Sequence, residues 1–455
     1  MKHVKRKVAI ETFGCRLNLF ESDGIMGQIM ASDSYEITEN PEQAEVFVVN
    51  TCTVTDQADQ KNRQLIQKAH KKNPDAKIVV TGCYAQTDPE ELRNLPGVAL
   101  VVGNDRKAHL LELIESKLYT EARSSQSGEQ RERSITPSIS DSAFSAFGPS
   151  SVFAYGNVMP VGHTRAYLKI QDGCDRKCTY CKIPQARGSG ISRSFEDVIE
   201  HARMLDERGV PEIVLTGVNL GWYKSSPGGE SNEAGSKKRF GALVLAVLEN
   251  LKRARLRLSS IEPCDVDEQL AELSTHARFC DFLHVPLQSG SREMLKRMRR
   301  TYNPVSFRKR LETVRKHNPD IFLGTDVITG FPGESEAHFQ ETVKLCQDLE
   351  MANIHAFPFS PRRGTLAAEM NDRPAQPVVR ARMEILKNLK DSGYAAYASK
   401  FKGKVREAIV EKENEALTDN FLRLKFTPSP TVKRGEMRPF QIERLEGTVL
   451  YSIPL

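Results

Sequence analysis

The sequence predicts an α/β protein in three parts: an amino-terminal doubly wound α/β domain, a central partial (βα)6 barrel and a small carboxyl-terminal β-barrel domain. Three observations carry this. Short runs rich in Val, Ile and Phe alternate with amphipathic helical stretches, the pattern of parallel sheets covered by helices. Two stretches rich in Ser, Gly and Pro, residues 124–151 and 224–238, interrupt the alternation as a linker and a loop insertion. From Phe401 onward the pattern becomes a partial two-residue alternation. The expected boundaries are 1–120, a linker over 121–160, 161–399 and 400–455, in keeping with about 150 residues per domain.

Composition narrows the class. Apolar residues make up 39% and charged residues 27% of 455, which suits a globular chain rather than a disordered one. Val8 to Ile10 is too short for a secretory apolar region, and no run approaches the ~18 apolar residues of a membrane span. The expectation is a cytoplasmic protein with no membrane partner. Nine cysteines in such a chain point to metal or catalytic use rather than disulfides. A net charge of +6 permits a polyanionic partner and equally fits an ordinary surface.

In the first domain, VAIETFG (8–14), VFVVNT (46–51) and KIVVTG (77–82) read as strands, and DQADQKNRQLIQKAH (56–70) as a helix between them. Cys15, Cys52 and Cys83 each follow one of these strands, in FGC, NTC and TGC. A lone free cysteine is ordinarily a small buried hydrophobe. Three at the carboxyl edge of one parallel sheet, where ligands bind, favour a shared metal centre.

Six strands are expected after the linker: YLKIQDG (167–173), EIVLTGV (212–218), LRLSSIE (256–262), FLHVPLQ (282–288), IFLGTDVITGF (321–331) and ANIHAFPF (352–359). Helices at 194–209, opened by a Ser194 cap, at 335–350 and at 377–399 separate or follow them. Chemistry on such a barrel belongs at the carboxyl ends of its strands. DGCDRKCTYC (172–181) lies there, with Cys174, Cys178 and Cys181 spaced C-x3-C-x2-C. A structural zinc needs a fourth ligand, and His163 precedes the strand. A four-iron cluster is the better match, because three thiolates leave one iron open. In the terminal segment, seven lysines and arginines between Lys400 and Lys425 accompany Phe401, Phe421 and Phe426. That mixture suits single-stranded RNA, or a barrel with a solvated basic face.

The C-x3-C-x2-C loop after the first strand of a six-stranded barrel resembles the radical S-adenosylmethionine enzymes. The resemblance implies that S-adenosylmethionine chelates the open iron and is cleaved reductively to methionine and a 5′-deoxyadenosyl radical. It places Tyr180 near the adenine and LTGVNLG (Thr216, Gly217, Asn219) near the methionyl amino group, although the usual Gly-Gly-Glu ending is missing. HVPLQSGS places Gln288 near the cofactor, and TDVITGFPGE also fits. The three-part organisation narrows this to the methylthiotransferases, and CRLNLFES (15–22) with NTCTVTDQAD (50–59) is similar to the bacterial branch acting on N6-threonylcarbamoyladenosine. That likeness implies two [4Fe-4S] clusters, the second on Cys15, Cys52 and Cys83. It also implies methylthiolation at adenine C2 of position 37 in the tRNA anticodon loop, with S-adenosylmethionine as radical source and methyl donor, and an electron donor and a sulfur source as partners. Radical chemistry suits the task, since an adenine C2–H is not acidic enough for a general base. The alternatives are isopentenyladenosine or a ribosomal-protein aspartate as substrate, or a non-catalytic iron–sulfur RNA-binding protein.

Other residues carry weaker signals. Arg187 and Arg193 suit phosphate or cofactor contact, or a plain surface. Asp326, polar within an apolar strand, suggests a site role. Trp222 reads as loop packing. Cys264, Cys280 and Cys346 lack partners at ligand spacing, and Cys346 sits mid-helix.

Overall fold

Val46–Thr51 is buried at all six positions, because helices cover both faces of its sheet. Val46 and Val48 join Val8, Ile25, Val79 and Leu110 in one core, while Phe47 and Val49 join Ile66, Ile78, Val80 and Leu92 in another. In this computed structural model, which describes residues 5–120, 152–225 and 236–455, that strand is the third of five parallel ones. They are β1 (Arg6–Thr12), β2 (Tyr35–Ile37), β3 (Val46–Thr51), β4 (Lys77–Gly82) and β5 (Val98–Val101), in the order β2-β1-β3-β4-β5. The chain leaves β1 for β2 on one side and β3 on the other, so the topological switch point lies between β1 and β3. The expected strands at 46–51 and 77–82 hold to the residue; β2 and β5, the short edges, went unread.

Contacts divide the chain into two units: Met1–Val161 with Asp172–Arg176 and Cys181–Arg193, and Gly162–Gln171 with Lys177–Tyr180 and Ser194–Leu455. In the first, helix Arg16–Met30 carries Asp23, which is 2% exposed and accepts the Val161 amide at 3.2 Å. Burial raises its carboxyl to about 7, against 3.8 ordinarily. A raised folded-state value means the stabilisation is full below pH 3.8 and is lost as pH rises through about 7. We therefore expect Asp23→Asn to gain on the parent by about 1.4 kcal/mol per pH unit across that window. Urea unfolding of both chains at several pH values reads the difference, and parallel pH profiles would contradict it.

The second unit contains the barrel strands β6 (Ala166–Lys169), β9 (Glu212–Thr216), β10 (Arg255–Leu258), β11 (Phe282–His284), β12 (Phe322–Thr329) and β13 (Asn353–Pro358). The two-residue strands β7 (Gln171–Asp172) and β8 (Ile191–Ser192) flank the three-cysteine loop. β6-β9-β10 and β11-β12-β13 are parallel sheets, and bridges Leu256–Phe279 and Ser260–His284 join them into one six-stranded wall. All six expected strands are present, each near its predicted place. Helix Phe195–Glu207 starts where expected, with Ser194 Oγ accepting the Asp197 amide at 3.1 Å.

β14 (Val405–Lys412), β15 (Glu415–Thr418), β16 (Arg423–Lys425), β17 (Met437–Glu446) and β18 (Val449–Pro454) close into a five-stranded barrel. Of the two readings left open for this segment, the barrel with a solvated basic face describes the aromatics. Phe401 is fully buried and Phe426 is 6% exposed, and Phe421 packs on the same core with Phe282 and Phe440. These rings fill the barrel and its base, so they are not a stacking platform; Lys402, Lys404, Arg423 and Lys425 remain exposed. The linker stretch 124–151 lies outside the described residues, as does most of 224–238. Among the described residues, no helix is long and apolar enough to cross a membrane.

Candidate functional site

Cys15, Cys52 and Cys83 follow β1, β3 and β4, three neighbours in the sheet, so the switch point brings their thiols together. Two glycines make the approach possible. Gly14 has φ +102°, and a Cβ there would sit 2.8 Å from Cys52 Sγ. Gly82 also has φ +102°, and a Cβ there would meet the Thr51 carbonyl at 2.3 Å. The FGC and TGC contexts thus have a steric cause. The Cys52 thiol is pushed up to about 12, first by burial, then by Cys83, with Cys15 adding to the effect. Binding a metal would take the proton from the Cys52 thiol.

Asparagines lock these loops. Asn18 Nδ2 donates to the Phe13 and Thr51 carbonyls at 2.7 and 2.9 Å, and Asn50 Nδ2 donates to the Asn18 carbonyl and Ser22 Oγ, both at 2.9 Å. Asn62 Nδ2 holds the Cys52 carbonyl at 2.8 Å. Of the readings open for Arg187, the surface one fails, while its place beside Cys15 and Cys83 leaves cofactor contact standing. It is 1% exposed, and its guanidinium donates to Asp172 Oδ2 at 2.9 Å, Glu21 Oε1 at 2.9 Å and Asn18 Oδ1 at 2.7 Å. Lys107 Nζ completes the group at 2.6 Å from Glu21. Arg187 is therefore an internal tie between the segment before Cys174 and the helix after Cys15, not a phosphate or surface contact. Arg193 is likewise buried, beside Asn157.

The C-x3-C-x2-C loop leaves its three thiols half exposed. The Cys174 amide donates to the Gly188 carbonyl at 2.9 Å. Thr179 anchors the other end, its amide and hydroxyl donating to the Met298 and Arg297 carbonyls at 3.2 and 3.0 Å. Arg300 Nη1 donates to Cys178 Sγ at 3.2 Å. Tyr180 packs edge-on against Phe331 at 6.5 Å, beside Ile328 and Phe359. Thr216 ends β9 and Gly217 follows it, the Gln171 side chain bracing that turn by accepting the Asn219 amide at 2.8 Å. Among the described residues, the side-chain nitrogen and oxygen of Asn219 are buried without a hydrogen-bond partner, an uncompensated cost that a polar ligand would remove. Gln288 has φ +65°, held there by backbone bonds to Asp326 and Ile328 of β12; non-glycine strain of this kind collects at ligand sites. All five residues lie at or beyond carboxyl ends of barrel strands.

His284 and His355 escaped the sequence reading. His284 Nε2 lies 3.0 Å and His355 Nδ1 3.6 Å from Asp326 Oδ1. Asp326 pairs in register with His355, and Gly324 with His284, so alternation puts the cluster on one face of the wall, shared with Ile328. His163 sits before β6 against Tyr167, at the end of the strand opposite the cysteine loop. Cys280 and Cys346 are core, Cys264 contacts Thr301 and Trp222 is half buried in a 3-10 turn.

Comparison with known proteins decides the family. Residues 7–103 match the family described as Uncharacterized protein family UPF0004, and 168–346 match the Radical SAM superfamily. The chain is similar to the threonylcarbamoyladenosine tRNA methylthiotransferase MtaB of Bacillus subtilis, 38% identical over 92% of this chain and 90% of that one. It is 34% identical to the Aquifex aeolicus protein of the same name, over 92% and 96% of the two chains. The chain belongs to the radical S-adenosylmethionine methylthiotransferase family. A Bartonella henselae tRNA-2-methylthio-N(6)-dimethylallyladenosine synthase is also 34% identical, over 90% of this chain and 86% of that one. Among solved structures, the radical S-adenosylmethionine methyltransferase TsrM of Kitasatospora setae shares the fold, with a TM-score of 0.51 at 16% identity over 78% and 75% of the two chains. For a member of this family the donor sets fit: two groups of three soft thiolates suit iron–sulfur clusters, and the unpartnered Asn219 amide suits a polar cofactor.

Proposed function

We propose that this chain methylthiolates N6-threonylcarbamoyladenosine at position 37 of tRNA, at C2 of the adenine, with S-adenosylmethionine as radical source and methyl donor. The observation that carries the reading is the pair of three-thiol sets, each at strand ends, in a chain that is 38% identical to a relative named for this modification. Cys174, Cys178 and Cys181 would hold one four-iron cluster, and Cys15, Cys52 and Cys83 the other. When bound, these groups supply radical generation at the first and sulfur presentation at the second. Asn219, Thr216, Gly217, Gln288 and Tyr180 orient S-adenosylmethionine, the amide of Asn219 gaining the partners it lacks. The exposed lysines and arginines of the terminal barrel suit the tRNA backbone.

Nucleoside analysis of tRNA from a strain lacking this chain tests the assignment. The 2-methylthio mark on threonylcarbamoyladenosine is expected to vanish while its isopentenyl counterpart persists. Persistence of both marks would reject the substrate.

A further inference from the structure

Arg300 belongs to no sequence motif singled out above, yet few side chains are held more firmly. Its side chain is 3% exposed, and its guanidinium reaches three groups: Nη1 donates to Cys178 Sγ at 3.2 Å, Nη2 pairs with Glu262, and Nε donates to Tyr302 Oη at 3.2 Å. The guanidinium also lies 5.0 Å from the Tyr302 ring. Tyr302 is itself fixed, its hydroxyl bonded to the Pro286 and Leu287 carbonyls at 2.9 and 2.8 Å, just before the strained Gln288. A planar fork with several anchors cannot swing away as a lysine could. One sulfur of the C-x3-C-x2-C set therefore faces a fixed cationic donor, and that cation faces a carboxylate.

We propose that Arg300 sets the reduction potential of the cluster held by Cys174, Cys178 and Cys181, with Glu262 as its counterweight; this rests on the reading that those cysteines hold one. Taking up one electron adds a negative charge that spreads onto the thiolates. A cationic hydrogen-bond donor on a thiolate favours the reduced form, and hydrogen bonds to sulfur are a recognised lever on such potentials. Burial keeps the effect from being screened. Glu262 withdraws part of it, so the two residues shift the potential in opposite directions. Arg300 is on this reading a positioning and tuning residue.

The test uses the full chain with Cys15, Cys52 and Cys83 replaced by alanine, so that one cluster gives the signal. After anaerobic reconstitution, the cluster is titrated with titanium(III) as one-electron reductant and followed by electron paramagnetic resonance. Arg300→Gln is expected to lower the reduction constant about tenfold, about 59 mV for one electron. Glu262→Gln is expected to raise it, and Arg300→Lys to fall between Arg300→Gln and the parent. An unchanged potential in an Arg300→Gln chain that keeps its iron overturns the proposal, as do shifts of the same sign in the two variants. If Arg300→Gln loses iron, Glu262→Gln decides alone: an upward shift supports the proposal and no shift overturns it. A parent that binds no four-iron cluster overturns the reading of the loop itself, and is distinguished by iron count before any titration.

Discussion

Alanine at Cys174, Cys178 or Cys181 is expected to abolish reductive cleavage of S-adenosylmethionine, whereas alanine at Cys15, Cys52 or Cys83 leaves that cleavage standing and abolishes methylthiolation. The two losses separate because the two triads are built differently. The C-x3-C-x2-C loop lies beyond the first strand of the barrel, in the same part of the chain as Tyr180. Cys15, Cys52 and Cys83 hang from three adjacent strand ends of another sheet, with Asn18, Asn50 and Asn62 locking the loops between them. Replacing all three cysteines of either triad with alanine should leave about four irons per chain, against about eight in the parent. The readouts are 5′-deoxyadenosine and the methylthiolated nucleoside, measured separately on reconstituted protein. If the first-sheet variants also lost cleavage while keeping four irons, the division of labour would be wrong.

How much of this was legible beforehand depends on the kind of interaction. β3 and β4 read to the residue because burial on both faces leaves an unbroken apolar run bounded by turn signals. β2 and β5 lie at the edges, are three and four residues long, and offered no run to count. In the terminal barrel β15 is four residues long and follows a tight turn after Lys412 that folds it back on β14, so it too offered no run to count. The six candidate ligands were visible as spacing and position, which is covalent information. Their supports were not. Arg187 meets Glu21 and Asn18 from more than 160 positions away, and Arg300 meets Cys178 from 122; no local pattern encodes such pairings. The two readings of the segment around Phe401, Phe421 and Phe426 stayed open for the same reason, since an aromatic beside lysines looks alike whether it faces RNA or a core.

Glu212→Gln is expected to destabilise the barrel unit by about 3–5 kcal/mol, the usual result of orphaning a buried charge. Glu212 opens β9 and is fully buried. Its carboxylate meets Arg255 Nε at 2.7 Å and Arg257 Nε and Nη2 at 2.7 and 2.9 Å, with Arg165 at 3.4 Å. The two arginines of β10 pass on to the small barrel, donating to the Leu417 and Thr418 carbonyls at 3.0 and 3.1 Å. One carboxylate thus sits at the centre of the guanidinium cluster that fastens the small barrel beneath the amino ends of β9 and β10, with Glu411 pairing Arg165 at 2.6 Å on its far side. Despite burial, those arginines hold the Glu212 carboxyl well below the usual range. A lowered folded-state value means its stabilisation is complete above the unfolded value of about 4.3 and is lost as pH falls toward the folded one. Urea unfolding at pH 7 should therefore show the full gap between Glu212→Gln and the parent, narrowing in acid. A double variant, Glu212→Leu with Arg257→Met, should recover part of the loss, because two apolar side chains leave one fewer guanidinium unpaired. A double variant no more stable than Glu212→Leu alone would show that the Arg257 charge was not the source of the cost.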